Sequence, residues 1–265
     1  MKIGVIQLNS KLDAQHNLNK VEELILEGKK DGAQIFFLPE CFLSMSDGSK
    51  PTPYLMDNGN EWYVKVQNLA KKYGVALVGG SAATVNNGSQ KVLNRAYNFD
   101  QNGNDLGHYD KIHLFACDLP DKKISEGTIY AHGKDDKLIE VNGLKIGLGI
   151  CFDLRFSEMA LNYRKLGAQV LTYASAFTVP TGKAHWHTLL RARAIETQCF
   201  VIASAQWGFH NDKMQTYGHS LVVDPWGEVL LDLQDGEKVG VVDLDLSSIT
   251  RVRQSVLMHR EWLDL

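Results

Sequence analysis

The amino-acid sequence predicts an α/β fold in which two mixed β-sheets pack together with helices outside. Three observations carry this. Strand-like apolar runs alternate with amphipathic helical stretches over both outer portions of the chain. The middle reads instead as hairpins, with Asn102-Gly103 and Asn142-Gly143 set between apolar runs, and Asn-Gly is the strongest short-range hairpin signal. The chain has 265 residues, 44% hydrophobic and 22% charged, enough to bury a sizeable core. No low-complexity linker interrupts it, so residues 1–265 are expected to form one domain.

Each element has its own warrant. KIGVIQL is a short apolar strand. HNLNKVEELILEGKKDGA places Leu18, Val21, Leu24 and Ile25 on one face and stops at Gly32, the pattern of an amphipathic helix with a glycine stop. QIFFLPE is a buried strand that ends at Pro39-Glu40. NEWYVKVQNLAKKYG sets Trp62, Val66, Leu69, Ala70 and Tyr73 at helical spacing and closes at Gly74, after which VALVGGSA is again strand-like. VLNRAYNFDQNGNDLGHYDKIHL and KLIEVNGLKIGLGIC each read as two strands around an Asn-Gly turn. Alternation then resumes, with helices at FSEMALNYRKLGA and AHWHTLLRARAIETQ, each followed by a strand, QVLTYASA and CFVIASAQW. YGHSLVVDPWGEVLLDL is a hairpin turning at Pro225-Trp226-Gly227, KVGVVDLDL is a last strand, and a polar tail follows.

Composition narrows the function classes. The net charge is −3 and no basic stripe offers itself to phosphates, which argues against a nucleic-acid partner. No stretch approaches the ~20 apolar residues of a membrane span. The apolar run at the amino terminus is short and broken by Gln7, unlike a secretion signal. Cys41, Cys117, Cys151 and Cys199 are widely spaced, with no Cys-x-x-Cys pair, which argues against a disulfide frame or a zinc site. The expectation is a protein with reduced thiols in the cytoplasm, a mitochondrial location being the open alternative.

Three residues sit where chemistry favours them. Glu40 ends QIFFLPE, Lys111 lies in YDKIHL, and Cys151 ends IGLGIC immediately before Phe152, Asp153 and Arg155. Strand ends suit functional groups because the sheet fixes them while the ends stay open to ligand. Each residue also has a plainer reading: a solvated acid or helix cap, a surface lysine, a small core thiol. Pattern alone leaves both readings standing.

The stretches FFLPECF, YDKIHLF and GLGICFDLRFSE resemble the nitrilase, or carbon–nitrogen hydrolase, superfamily, and the likeness continues through PTGKAHWHTLLRARAIETQCFVIASAQ and YGHSLVVDPWGEV over nearly the whole chain. The resemblance implies a four-layer α-β-β-α sandwich and a Glu40–Lys111–Cys151 triad. Glu40 would take the thiol proton as Cys151 attacks an amide carbonyl, then protonate the leaving amine and activate water against the thioester. Lys111 and the backbone N–H of Phe152 would face the developing oxyanion, such donors being worth roughly 3 kcal/mol each. Many members carry a second glutamate in a loop after the lysine. Here ISEGTIYAHG offers Glu126, although Ala116-Cys117 departs from the commoner acidic pattern before it. No metal or organic cofactor is implied.

CFDLRFSE followed by TGKAHWHTLLRARAIETQCFV resembles the amidase branch that holds deaminated-glutathione amidases and ω-amidases, and the LLRARAIETQ wording resembles the former more closely. Phe152, Ser157 and Lys183 stand where Tyr, Pro and Pro are common. The expected partner is a small amide with a 2-oxo-carboxylate at its far end. Arg155, four residues after Cys151, would pair with that carboxylate, or else serve an internal salt bridge. Thr181 would donate its hydroxyl to substrate, or cap the next helix. RARAIETQ and the tail resemble segments that form a homodimer. An interaction protein that kept the fold and lost activity is the alternative of another class.

Overall fold

A computed structural model describes residues 1–119 and 122–258. The chain begins with β1 (Lys2–Gln7), α1 (Ala14–Lys30), β2 (Ile35–Phe37), α2 (Glu61–Tyr73) and β3 (Ala76–Val78). Both helices carry side-chain caps: Asp13 accepts from the N–H groups of Gln15 and His16, and Asn60 from that of Tyr63. β4 (Ser81–Thr84), β5 (Leu93–Phe99) and β6 (Asp105–Asp110) complete a first mixed sheet, in which β1, β2 and β3 run parallel and β4 and β6 flank β5 antiparallel.

A short antiparallel ribbon, β7 (Ala116–Leu119) and β8 (Lys122–Ser125), leads to β9 (Leu138–Val141), β10 (Leu144–Ile150), α3 (Ser157–Lys165), β11 (Val170–Ala174), α4 (Val179–Thr197) and β12 (Phe200–Ala203). A second ribbon, β13 (Trp207–Phe209) with β14 (Gln215–Tyr217), precedes β15 (Leu221–Val223), β16 (Val229–Asp232), β17 (Lys238–Asp243) and α5 (Ser247–Ser255). β9 to β12 with β15 and β16 form the second mixed sheet, parallel along β10-β11-β12, while β17 returns to pair antiparallel with β1.

The faces of the strands assign the layers. Ile6, Phe36 and Leu77 pack with Leu18, Val21, Leu24 and Ile25 of α1 and Val66 and Leu69 of α2. Their alternating neighbours Val5, Phe37 and Val78 join the core of the second sheet. The sheets approach closely where Gly79, at φ 79°, faces Thr172, which a Cβ would contact at 3.4 Å. On the far face, Gly147 leaves room for the Tyr163 ring of α3, which a Cβ would meet at 2.5 Å. The order is therefore helix, sheet, sheet, helix, the expected four-layer sandwich.

Both Asn-Gly hairpins form, between β5 and β6 and between β9 and β10. Some details differ from expectation. The polar tail contains α5, whose only buried residue is Ile249. VALVGGSA divides into two strands at Gly79-Gly80. α4 starts at Val179 because Pro180 is accepted in a first turn. Residues 120–121 of the loop after the lysine, and residues 259–265 of the tail expected to serve a dimer, lie outside the described residues.

Candidate active site

Glu40 follows β2 and reaches the space between the two sheets, where it is 2% exposed. Lys111 follows β6 and is fully buried. Its ammonium donates to Glu40 Oε1 at 2.8 Å and to both oxygens of Glu126 at 3.0 and 2.8 Å. Glu126 opens a short 3-10 turn, and its Oε2 also accepts the Phe115 N–H at 2.8 Å. From the second sheet, Cys151 follows β10 with φ 49° at the head of a 3-10 turn over Cys151–Arg155. Its buried sulfur lies near the Glu40 carboxyl, the Lys111 ammonium and the Ala176 N–H, which all act on its ionisation. The structure thus gathers Glu40, Lys111, Glu126 and Cys151 in one cluster.

The electrostatics follow from two carboxylates sharing one buried ammonium. Burial alone would favour a neutral Lys111, but Glu126 and Glu40 outweigh it and hold the ammonium charged well beyond its usual range. Burial pushes the Glu40 carboxyl up, and the like charge of Glu126 adds to this against the pull of Lys111. Burial and Glu40 also push the Cys151 thiol well up. The resting sulfur is therefore a thiol beside a carboxyl of raised basicity, an arrangement for proton transfer during attack rather than for a standing thiolate.

Phe152 stands second in the 3-10 turn, where its N–H lacks a partner within the turn, as an oxyanion donor must. Its ring meets Phe115 edge-on at 5.3 Å. Arg155 closes the turn. Its guanidinium lies 5.5 Å from the centroids of Phe152 and Phe177, and Nη2 meets His185 Nδ1 at 3.2 Å. Its buried Nε has no partner, and among the described residues no carboxylate pairs with it. The expected alternative of an internal salt bridge is therefore absent from the described residues. Thr181 does not cap α4. It lies in the first turn, and its hydroxyl meets Thr178 Oγ1 at 2.8 Å. Cys151, Glu126, Phe152, Arg155 and Thr181 line one cavity of about 30 Å³, room for one or two waters. A larger groove of about 650 Å³ runs between α1 and α2, but its lining includes no cysteine, serine or threonine.

The site uses residues that the motif reading passed over. Asp153 is fully buried and accepts four hydrogen bonds, from the N–H groups of Ile150 and His113, the Tyr109 hydroxyl and His113 Nδ1, at 2.7 to 3.0 Å. It ties the turn after Cys151 to the segment after Lys111. Asn94 of β5 donates to Glu40 Oε1 at 2.8 Å, and Gln206 donates to the Glu40 carbonyl at 2.9 Å. The signal for Asp153 was present in ICFDLR, an acid set directly after an apolar strand.

Comparison with known proteins agrees with this geometry. The carbon–nitrogen hydrolase family matches residues 2–254. A deaminated glutathione amidase of Dictyostelium discoideum is 37% identical over 265 residues, spanning 96% of this chain and 91% of that protein. Omega-amidase NIT2 of Xenopus tropicalis is 35% identical over 262 residues, spanning 98% and 94%. Among solved structures, Saccharomyces cerevisiae Nit3, described as a member of branch 10 of the nitrilase superfamily, is similar with a TM-score of 0.88 at 29% identity, covering 98% of this chain and 96% of that one.

Proposed function

The chain belongs to the carbon–nitrogen hydrolase family, and from that premise we propose that it is a cysteine-dependent amidase whose substrate is deaminated glutathione. The observation that supports this most is that Cys151 and Glu126, joined to Glu40 through the buried Lys111 ammonium, line one cavity together with Arg155. On this reading the substrate's 2-oxo-carboxylate meets the Arg155 guanidinium, which has a buried Nε without a partner. That contact sets the amide carbonyl over the Cys151 sulfur. As sulfur attacks, its proton passes to Glu40. Lys111 and the Phe152 N–H stabilise the oxyanion. Glu40 returns the proton to the leaving amine of the cysteinylglycine tail, which departs as the thioester forms. Glu40 next takes a proton from water, whose oxygen displaces the thiol and leaves a carboxylic acid. Thr181, on the cavity wall, offers its hydroxyl to the substrate, and self-association through α4 and the tail belongs to the same reading.

A second reading is an ω-amidase acting on 2-oxoglutaramate. The narrow cavity favours it, since a primary amide has no tail to house. Ammonia release from 2-oxoglutaramate, set beside cysteinylglycine release from deaminated glutathione, decides between the two. Faster turnover of 2-oxoglutaramate overturns the first and leaves the cysteine chemistry in place. Turnover of neither amide favours an idle interaction protein. The carboxylate contact has its own test. A charge-assisted bidentate contact is worth roughly 1.5–3 kcal/mol, so Arg155→Ala is expected to lower kcat/KM for the anionic amide by roughly ten- to a hundred-fold. The loss should be much smaller for a neutral amide, and equal losses would make Arg155 structural.

A further inference from the structure

A second polar cluster lies outside the cavity, built from three separate elements. His187 comes from α4, His219 from the turn between β14 and β15, and Asp232 from the end of β16. Asp232 Oδ2 lies 3.0 Å from His187 Nε2, and Oδ1 lies 2.9 Å from His219 Nδ1. The three ligand atoms all fall within 4.8 Å of one another. We propose that His187, His219 and Asp232 form a binding site for a divalent transition metal of the zinc class.

The donor set is chemically suited to such an ion. Imidazole nitrogen and carboxylate oxygen bind Zn2+ at 2.0–2.2 Å, which sets tetrahedral ligand atoms about 3.4 Å apart. Lengthening the two Asp232 contacts by a few tenths of an ångström brings them to that spacing. The protons that the two rings now direct at Asp232 move to the opposite ring nitrogens, so neutral imidazoles become ligands without a change of charge. Three protein ligands leave a fourth position for water.

Two of the three ligands are also held by further contacts, as metal ligands usually are. The Tyr217 ring stacks on His219 with centroids 4.4 Å apart. Trp186 Nε1 donates to the His219 carbonyl at 2.7 Å, and His219 sits at φ 56°, an uncommon backbone for a residue with a side chain. The Gln234 N–H donates to Asp232 Oδ1 at 2.9 Å. The side chains remain 22–35% exposed, which gives the ion a path in. Bound there, the metal would fasten α4 to the β15–β16 hairpin.

The test is a Zn2+ titration of the full chain against a chromophoric zinc indicator. It is run in a Cys151→Ala background, so that the thiol beside Glu40 takes no ion. One equivalent is expected to bind and to raise the melting temperature. His187→Gln and Asp232→Asn should each weaken binding at least tenfold. His187→Gln alters only a partly exposed side chain of α4, and its metal-free melting temperature should match the background. It therefore decides the matter if Asp232→Asn fails to fold. No Zn2+ bound, or binding unchanged by His187→Gln, overturns the proposal.

Discussion

Cys41 and Cys151 share more than a residue type. Each follows a strand in the parallel part of its sheet, each lies in the left-handed region at φ 54° and 49°, and each borders the Glu40–Lys111 cluster. Burial and the charge of Glu40 push both thiols up. They differ in what surrounds the sulfur. Cys151 lines the cavity, lies beside the Glu40 carboxyl, and heads a turn fixed by Asp153. The Cys41 thiol lies beside Tyr130 and is not among the residues lining the cavity, and its backbone N–H donates to Ser81 Oγ at 3.1 Å. A strained backbone and a neighbouring charge are common to both, so neither singles out Cys151 for the nucleophile's part in the proposed mechanism. A reachable proton acceptor together with an opening for substrate distinguishes one from the other.

Paired alanine variants test this comparison most sharply. Cys151→Ala is expected to lower amide turnover by roughly 10⁴-fold or more, since a nucleophile acting as one unit with its base is lost whole. Its melting temperature should change little, because alanine accepts the same backbone and removes only a small atom group. Cys41→Ala should keep kcat/KM within about tenfold of wild type. Equal losses in the two variants would break the comparison. Glu40→Gln comes next, with an expected loss of roughly 10²–10⁴-fold, because an amide cannot take the thiol proton. Iodoacetamide should alkylate Cys151 faster than Cys41 in the wild type, and Glu40→Gln should remove that advantage. An advantage that survives the substitution would rule out Glu40 as the proton acceptor.

The sequence reveals these two cysteines unequally, and the reason is physical. IGLGIC and QIFFLPE are apolar runs that end abruptly in a thiol or a carboxyl, so the strand ends and the placement of these groups are legible in one dimension, while their proposed chemistry rests on the likeness of the motifs. Both Asn-Gly hairpins are local signals as well. Asn94 and Gln206, in contrast, act on Glu40 from 54 and 166 residues away in sequence, and only the pairing of β5 and the docking of the two sheets bring them near. α4 begins five residues before the apolar pattern of AHWHTLLRARAIETQ, since Pro180 is compatible with a first helical turn and PTGK carries no helical periodicity of its own. α5 was missed because its short polar sequence buries little. Asp153 lay in plain view, but its role depends on donors from Tyr109 and His113, which belong to the other sheet's motif.

Asp153 sharpens the contrast further, since Cys41 has no counterpart to it in the described hydrogen bonds. Asp153→Asn keeps the side chain's size and removes an anionic acceptor that serves four donors. Hydrogen bonds to charged groups contribute about 1.5–3 kcal/mol each, and an amide recovers only part of that. We expect a loss of about 3 kcal/mol in stability, seen in denaturant melts, and roughly a hundred-fold fall in kcat as the Cys151 turn loosens. Unaltered kcat in a destabilised protein would show that the network supports the fold without positioning the thiol.

Glu126 gives the smallest effect and the most specific one. Lys111 divides its charge between Glu40 and Glu126, and the like charge of Glu126 helps to raise the Glu40 carboxyl after burial has done the larger part. Glu126→Gln removes that repulsion and leaves the ammonium to Glu40 alone. Both changes favour ionised Glu40, so its pKa should fall toward the ordinary glutamate value of about 4.3. The acidic limb of the kcat/KM profile reports this group in the free enzyme, so it should move to lower pH. The plateau rate should fall by only about tenfold, because a glutamine oxygen still accepts one hydrogen bond from Lys111. The Cys151 thiol also loses a negative neighbour, which moves any thiol ionisation downward in the same variant. A limb that stays in place or moves upward would mean that burial alone sets the basicity of Glu40, and that the second carboxylate only holds Lys111 in position.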